Sequence, residues 1–125
     1  MKFIDFKKLI KSFHYAFRGV IRLLSDQQNA RIHASAAILV GIFAYLLQVT
    51  RVEAAILFMA VVMVFAIEIL NTAIEKLSNI IEPKNSKEIA YIKDGMAGAV
   101  LFTAIIAVVV AILIFLPHIR SLINH

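Results

Sequence analysis

The segment 95–116, GMAGAVLFTAIIAVVVAILIFL, contains no charged side chain. At about 1.5 Å per residue, a helix of this length crosses a hydrocarbon core about 30 Å thick. Two further stretches have the same character: residues 32–50 carry no formal charge, and residues 54–74 carry only Glu68. These stretches predict three transmembrane helices, the first with little length to spare. The polar residues 75–94 predict a connector between the second and third spans, with its turn over 82–87.

The composition of the chain agrees with a membrane environment. Its 125 residues are 62% hydrophobic, with a mean hydropathy of +0.89, which is more apolar surface than one soluble domain of this size can bury. Cysteine is absent, which excludes a disulfide framework and a thiolate zinc site. The first residues lack a continuous apolar core and a small-residue cleavage site, so we predict no cleaved signal peptide.

Residues 3–24 have the pattern of an amphipathic helix. Apolar residues recur at steps of three and four, with basic residues on the other face: Phe3, Phe6, Ile10, Phe13, Phe17, Ile21 and Leu24. This pattern predicts a helix in the headgroup region, the alternative being a core-facing helix of a soluble bundle. The predicted fold is an all-α membrane protein, a single domain over residues 1–125, with a surface helix over about 3–24 and spans over about 32–50, 54–74 and 95–116.

The basic residues are distributed unequally between the two sides of the predicted spans. One side has two, Arg51 and Arg120; the other has eleven, Lys2, Lys7, Lys8, Lys11, Arg18, Arg22, Arg31, Lys76, Lys84, Lys87 and Lys93. Because basic flanks stay in the cytoplasm, we expect a multi-pass protein of the cytoplasmic (inner) membrane with a cytoplasmic N-terminus. The net charge of +5 then indicates attraction to membrane lipids, and no motif accompanies it that predicts nucleic-acid binding.

Four polar residues lie along one face of the second predicted span. Glu68, Asn71, Thr72 and Glu75 stand at positions i, i+3, i+4 and i+7, which share one helical face over about 10 Å. A carboxylate within a span costs a few kcal/mol or more unless it is paired, hydrated or protonated, so Glu68 marks a functional site. The alternative is that Glu68 pairs with a neighbouring helix for packing only.

The chemistry of these residues suits phosphoryl transfer. A region of low dielectric disfavours the charged carboxylate, so Glu68 is suited to accept a proton from a hydroxyl group. Glu75, nearer to water, is better placed to hold Mg²⁺, and Lys93 would neutralise phosphate charge. No glycine-rich phosphate loop of the Gly-x-x-x-x-Gly-Lys type is present. Bound ATP would need another kind of site.

Two motifs connect this pattern to a known family. The segments 68–75, EILNTAIE, and 92–100, IKDGMAGAV, closely resemble the prokaryotic diacylglycerol kinase and undecaprenol kinase family. The resemblance extends to 12–19, SFHYAFRG, to 29–33, NARIH, and to 115–117, FLP, so it covers nearly the whole chain. The last two segments resemble the undecaprenol branch more.

The resemblance implies an ATP-dependent kinase that phosphorylates a membrane lipid alcohol, undecaprenol or diacylglycerol, at the cytoplasmic membrane face. It also implies a homotrimer whose composite active sites combine residues of neighbouring subunits. Glu68 corresponds to the catalytic base, and the residues that correspond to the ATP-binding set are Tyr15, Asn71, Glu75, Lys93 and Asp94. The connector of the family approaches the nucleotide near Lys84, Asn85 and Ser86, whose identities are not a close match.

The metal site is where the chain departs from the family pattern. Glu75 corresponds to a Mg²⁺ ligand, but Gln27 stands where the family usually has a second metal-binding glutamate. An amide oxygen coordinates Mg²⁺ without adding negative charge, so we expect lower metal affinity and more reliance on Glu75 or on adjacent Asp26. An alternative function follows, in which the chain is a non-catalytic, trimeric structural or regulatory relative of the lipid kinases.

Overall fold

A computed structural model describes residues 3–82, 84 and 86–125. Among these residues every regular element is a helix. Four helices follow one another along the chain: α1 Phe6–Asp26, α2 Gln28–Leu46, α3 Arg51–Ile81 and α4 Lys87–Ile123. Helices α2, α3 and α4 are long and apolar enough to cross a membrane, which confirms an all-α fold with three membrane-spanning candidates. Lys2 of the basic flank, Pro83 of the predicted turn and Asn85 of the connector lie outside the described residues.

A sharp corner separates α1 from α2. Gln27 is the only residue between the two helices, and its extended backbone (φ −112°, ψ 119°) turns the chain. The guanidinium of Arg31 in α2 donates a hydrogen bond of 2.8 Å to the backbone carbonyl of Ser25 in α1. This bond satisfies one of the carbonyls that the end of a helix leaves free, and it fixes the corner at Asp26 and Gln27.

Helix α2 is the shortest of the three apolar helices, with 19 residues. It ends at Leu46, whereas the stretch predicted as the first span continued to Thr50. Helix α2 ends earlier because the chain turns back between α2 and α3. Gln48 in this turn has a positive φ of 53°, and Thr50 caps the start of α3. The Thr50 hydroxyl accepts a hydrogen bond from the Glu53 backbone N–H, and the Glu53 carboxylate accepts one from the Thr50 backbone N–H. This reciprocal capping box ends the connection and begins α3.

Helices α3 and α4 form an antiparallel hairpin, with 31 and 37 residues respectively. Polar contacts join the pair near both ends: Glu53 to His118, with 3.0 Å between Oε2 and Nε2, and Lys93 to Asn79 near the opposite end. Neither contact was predicted from the sequence. Together they fix the register of the hairpin along almost the whole length of α3.

The hairpin helices continue beyond the predicted spans. Helix α3 runs to Ile81, and the Ser86 hydroxyl caps α4 by accepting a hydrogen bond from the Ile89 backbone N–H. Most of the polar connector predicted over 75–94 is therefore helical. At the other end, α4 passes through Pro117 to Ile123. The missing N–H of a proline removes one hydrogen bond of the helix, but here it does not end the helix.

The isolated chain exposes an unusual amount of apolar surface. Its accessible surface is 10151 Å², whereas a compact monomer of 13.9 kDa has about 6,700 Å². The buried apolar side chains in the described residues are few: Leu23, Ala30, Leu57, Val64, Val100 and Ile114. A fold with so small a core needs lipid or other chains against its faces.

Candidate functional site

The deepest polar group described in the chain is the carboxyl group of Glu68. Its side chain is 1% exposed, whereas many apolar side chains of the same helix are exposed. Among the described residues, neither Glu68 Oε2 nor the Oγ1 atom of Thr72, which lies one turn further along α3, has a hydrogen-bond partner. A buried polar atom without a partner costs about 1–3 kcal/mol, and more if it is charged. These two atoms are therefore positioned to bind a group that the isolated chain lacks.

The four residues of the predicted polar stripe differ in exposure along α3. Glu68 and Thr72 are buried, Asn71 is half-buried and Glu75 is exposed. The stripe thus runs from the interior of the chain to its surface over two helical turns. A proton acceptor at the inner end and a cation-binding carboxylate at the outer end would lie about 10 Å apart along the helix.

Helix α4 packs against α3, the helix that carries the stripe. The register fixed by the two cross-helix contacts places Thr103 level with Glu68. The Thr103 hydroxyl donates to the backbone carbonyls of Ala99 and Val100, at 3.1 and 2.9 Å, and so does not serve Glu68. In this register no described side chain of α4 forms a hydrogen bond with Glu68 Oε2.

A cleft of about 470 Å³ lies between α1 and the polar end of α3. Asp26 and Gln27 line it from the corner after α1, and Thr72 and Lys76 line it from α3. The fold therefore brings the predicted metal-binding residue Gln27, and Asp26 beside it, close to the polar stripe. Lys76 is a further cation in this cleft that sequence reasoning did not assign to the site.

Other predicted site residues do not belong to the lining of this cleft. Glu75 and Asn71 lie on α3 but do not line it, and Lys93 and Asp94 lie on α4. Tyr15 is 64% exposed, and its ring contacts that of His14 with 6.3 Å between centroids. A single copy of the chain thus brings together only part of the predicted ATP-binding set.

Lys93 is held by a residue that sequence reasoning missed. Its ammonium group donates a hydrogen bond to Oδ1 of Asn79 on α3. Asn79 lies four residues after Glu75, so it continues the polar stripe by one turn. The i+4 spacing is present in the sequence, but the polar residues after Glu75 predict a connector there and not a continued helix.

The oxygen ligands present suit Mg²⁺ better than a metal ion that needs several protein side chains as ligands. No cluster of three or more His, Cys, Asp or Glu side chains occurs in the described part of the chain. Mg²⁺ is commonly bound through one or two carboxylates together with substrate phosphates and water. Exposed Glu75, with Asp26 and Gln27 at the cleft, supplies donors of this kind.

Comparison with known proteins gives the family. The family model described as prokaryotic diacylglycerol kinase matches residues 14–115. An undecaprenol kinase of Bacillus subtilis (strain 168) is 35% identical over 113 residues, which are 90% of this chain and 92% of the relative. A diacylglycerol kinase of Synechocystis sp. is 38% identical over 115 residues, 91% of this chain and 66% of the relative. The chain therefore belongs to the prokaryotic diacylglycerol kinase family and is a membrane protein of the lipid kinase class.

Proposed function

We propose that the chain transfers the γ-phosphoryl group of ATP to the hydroxyl group of a membrane lipid alcohol at the cytoplasmic membrane face. The observation that carries the proposal is the buried Glu68 carboxylate, whose Oε2 has no hydrogen-bond partner among the described residues. Such a group is suited to receive the proton of a substrate hydroxyl from within the bilayer. Family membership supports the reaction class.

In the proposed mechanism Glu68 acts on the lipid and the outer residues act on the nucleotide. The lipid oxygen forms a bond to the γ-phosphorus while the bond from that phosphorus to the β-phosphate oxygen breaks, and ADP leaves. Glu68 takes the hydroxyl proton. Lys93, Asn71 and Asp94 bind and orient the phosphates and the nucleotide. Tyr15 is the aromatic residue beside the nucleotide.

Glu75 and Gln27, with Asp26 beside Gln27, are the residues that would hold Mg²⁺. When bound, the ion neutralises phosphate charge as it develops during transfer. Little else is required of the protein in a phosphoryl transfer beyond positioning and electrostatic stabilisation, which explains how a chain of 125 residues is sufficient.

A homotrimer with a cytoplasmic N-terminus completes the proposal. Tyr15, Glu75 and Lys93 do not line the α1–α3 cleft, which supports a site completed by a neighbouring subunit. The exposed apolar faces of α2, α3 and α4 supply surface for both subunit and lipid contacts. We place α1 on the cytoplasmic membrane surface, because the basic residues concentrate on that side.

For the lipid substrate we propose undecaprenol over diacylglycerol. The segments 29–33 and 115–117 resemble the undecaprenol branch, and the undecaprenol kinase relative matches over 92% of its own length. The two substrates share a primary hydroxyl group and differ in their chains. A competition assay with equal amounts of both alcohols measures the preference directly.

The alternative of a non-catalytic relative rests on Gln27, which brings no charge to the metal site. Asp26 lines the same cleft and supplies a carboxylate there, which supports turnover. The test uses purified protein in lipid bilayers with radiolabelled ATP, Mg²⁺ and each alcohol in turn. Labelled lipid is expected from the wild type and not from Glu68→Gln. Absence of label with every alcohol would favour the non-catalytic relative, and label from Glu68→Gln at the wild-type rate would exclude Glu68 as the base.

A further inference from the structure

The hydrogen bond between Lys93 and Asn79 connects the two helices close to the proposed nucleotide site. Lys93 is half-buried on α4, and Asn79 is exposed on α3. Two polar side-chain contacts join α3 and α4 among the described residues. The bond between Lys93 and Asn79 lies near the end of α3 and the start of α4, and the contact between Glu53 and His118 lies at the far end of the hairpin. The position of the Lys93 ammonium group therefore depends on Asn79.

Asn79 holds Lys93 without removing its charge. An ammonium group has three N–H donors, so one bond to the amide oxygen leaves two for a phosphate. A lysine side chain that is free in solution also loses up to about 2 kcal/mol of rotamer entropy when it is fixed on a ligand. A lysine already fixed by Asn79 loses less of this entropy when the nucleotide binds.

The same contact keeps Lys93 from an unfavourable partner. Glu75 lies one helical turn from Asn79 on the same face of α3, a separation that a lysine side chain can bridge. A pair between Lys93 and Glu75 would neutralise both the phosphate-binding cation and the carboxylate proposed for Mg²⁺. In the described chain Glu75 forms no ion pair, and Lys93 is bound to the neutral amide instead.

We infer that Asn79 is a positioning residue for the nucleotide, acting through Lys93. This inference rests on the proposed function, in which Lys93 contacts phosphate. It assigns to Asn79 no contact with substrate of its own. Its effect therefore depends on the presence of the lysine, and a double-mutant cycle measures exactly that dependence.

The experiment measures the affinity of a fluorescent ATP analogue, with Mg²⁺ present, for the full chain in lipid nanodiscs. We expect Asn79→Ala to bind the analogue about five- to twenty-fold more weakly, the range that corresponds to freeing one lysine side chain. In turnover assays the KM for ATP should rise in Asn79→Ala while the KM for the lipid stays constant.

Lys93→Met and the double variant separate the possible failures. If Asn79 acts through Lys93, Asn79→Ala weakens binding no further once Lys93 is methionine. Wild-type affinity in Asn79→Ala or full additivity in the double variant would each overturn the inference. Wild-type affinity in Lys93→Met would instead overturn the proposed role of Lys93. Asn124→Ala, at the distant end of α4, is the matched control and should bind normally.

Alanine forms helices better than asparagine does, so α3 is expected to keep its structure in the variant. Thermal unfolding of each variant in the nanodisc checks this. If Asn79→Ala fails to fold, Asn79→Gln replaces it in the cycle: the longer side chain displaces the amide oxygen, so weaker binding that depends on Lys93 is again expected. Unchanged affinity in that variant would overturn the inference.

Discussion

Replacing Glu68 by glutamine should lower activity and raise stability at the same time. The side chain is 1% exposed and its Oε2 has no hydrogen-bond partner among the described residues, so the folded chain bears the cost of a buried carboxylate. Glutamine has the same shape without the charge. An unsatisfied buried group costs about 1–3 kcal/mol when neutral and more when charged. Glutamine keeps the neutral cost and removes only the excess due to charge, so the gain in unfolding free energy should be on the order of 1 kcal/mol. For a chain of this length that corresponds to a rise in Tm of about 3–5 °C.

The loss of activity has a separate origin. A positioned general base contributes about 10²- to 10⁴-fold to a rate, so Glu68→Gln should lower kcat by a factor in this range. The two effects are measured on one preparation, by thermal unfolding in nanodiscs and by transfer of label from ATP to the lipid. The combination of higher Tm and lower kcat is the pattern expected of a residue kept for function at a cost in stability.

Glu88→Gln is the matched control for both measurements. Glu88 is an exposed carboxylate in the first turn of α4, where it interacts with the helix dipole. Its replacement should lower the unfolding free energy by less than about 1 kcal/mol and leave kcat unchanged. A fall in the Tm of Glu68→Gln, larger than that of Glu88→Gln, would refute the reasoning, because it would show that Glu68 has a structural partner in the assembled protein.

Three further predictions concern the metal site and the far end of the hairpin. Gln27→Glu should lower the Mg²⁺ concentration that gives half-maximal activity, because it adds a carboxylate; an unchanged Mg²⁺ titration would show that position 27 is not a ligand. The Thr50 backbone N–H, and then His118, hold the pKa of Glu53 below its usual value of 4.5, so this carboxylate contributes stability above that value and loses it as the pH falls through the lowered folded pKa. The Tm of the wild type should therefore fall more steeply between about pH 5 and pH 3 than that of Glu53→Gln, and equal slopes would contradict this. Thr50→Ala removes the helix cap and should cost about 1 kcal/mol of unfolding free energy, whereas a cost near zero would show that the capping box does not stabilise α3.

The three apolar helices followed from the sequence because the length of an apolar stretch predicts them, and α1 followed from its amphipathic periodicity. Residues 95–116 and 54–74 lie within α4 and α3 as the structure has them. The helix ends did not follow, because hydropathy marks where apolar residues stop and not where hydrogen bonding stops. Polar residues after Glu75 continue α3 to Ile81, and the turn at Gln48 interrupts a stretch that hydropathy alone reads as continuous.

The candidate site was predictable only where it depends on one helix. The spacing of Glu68 and Glu75 by itself puts them on one face of a helix. The cleft between α1 and α3 depends on the corner at Gln27, and the partner of Lys93 depends on the register of α3 against α4. These are contacts between elements, and no local pattern in the sequence encodes them.

The three apolar helices differ in length, so the bilayer thickness that surrounds them is expected to influence the candidate site. Helix α2, with 19 residues, is about 28 Å long, whereas α3 and α4 are about 46 and 55 Å long. A bilayer with longer acyl chains can be matched by a smaller tilt of α3 and α4, but α2 has no spare length to offer. Hydrophobic mismatch is therefore concentrated on α2, which leads directly from the corner at Gln27. We therefore expect membrane thickness to change the depth of Glu68 below the headgroups, and acyl-chain length to change the rate of the proposed reaction.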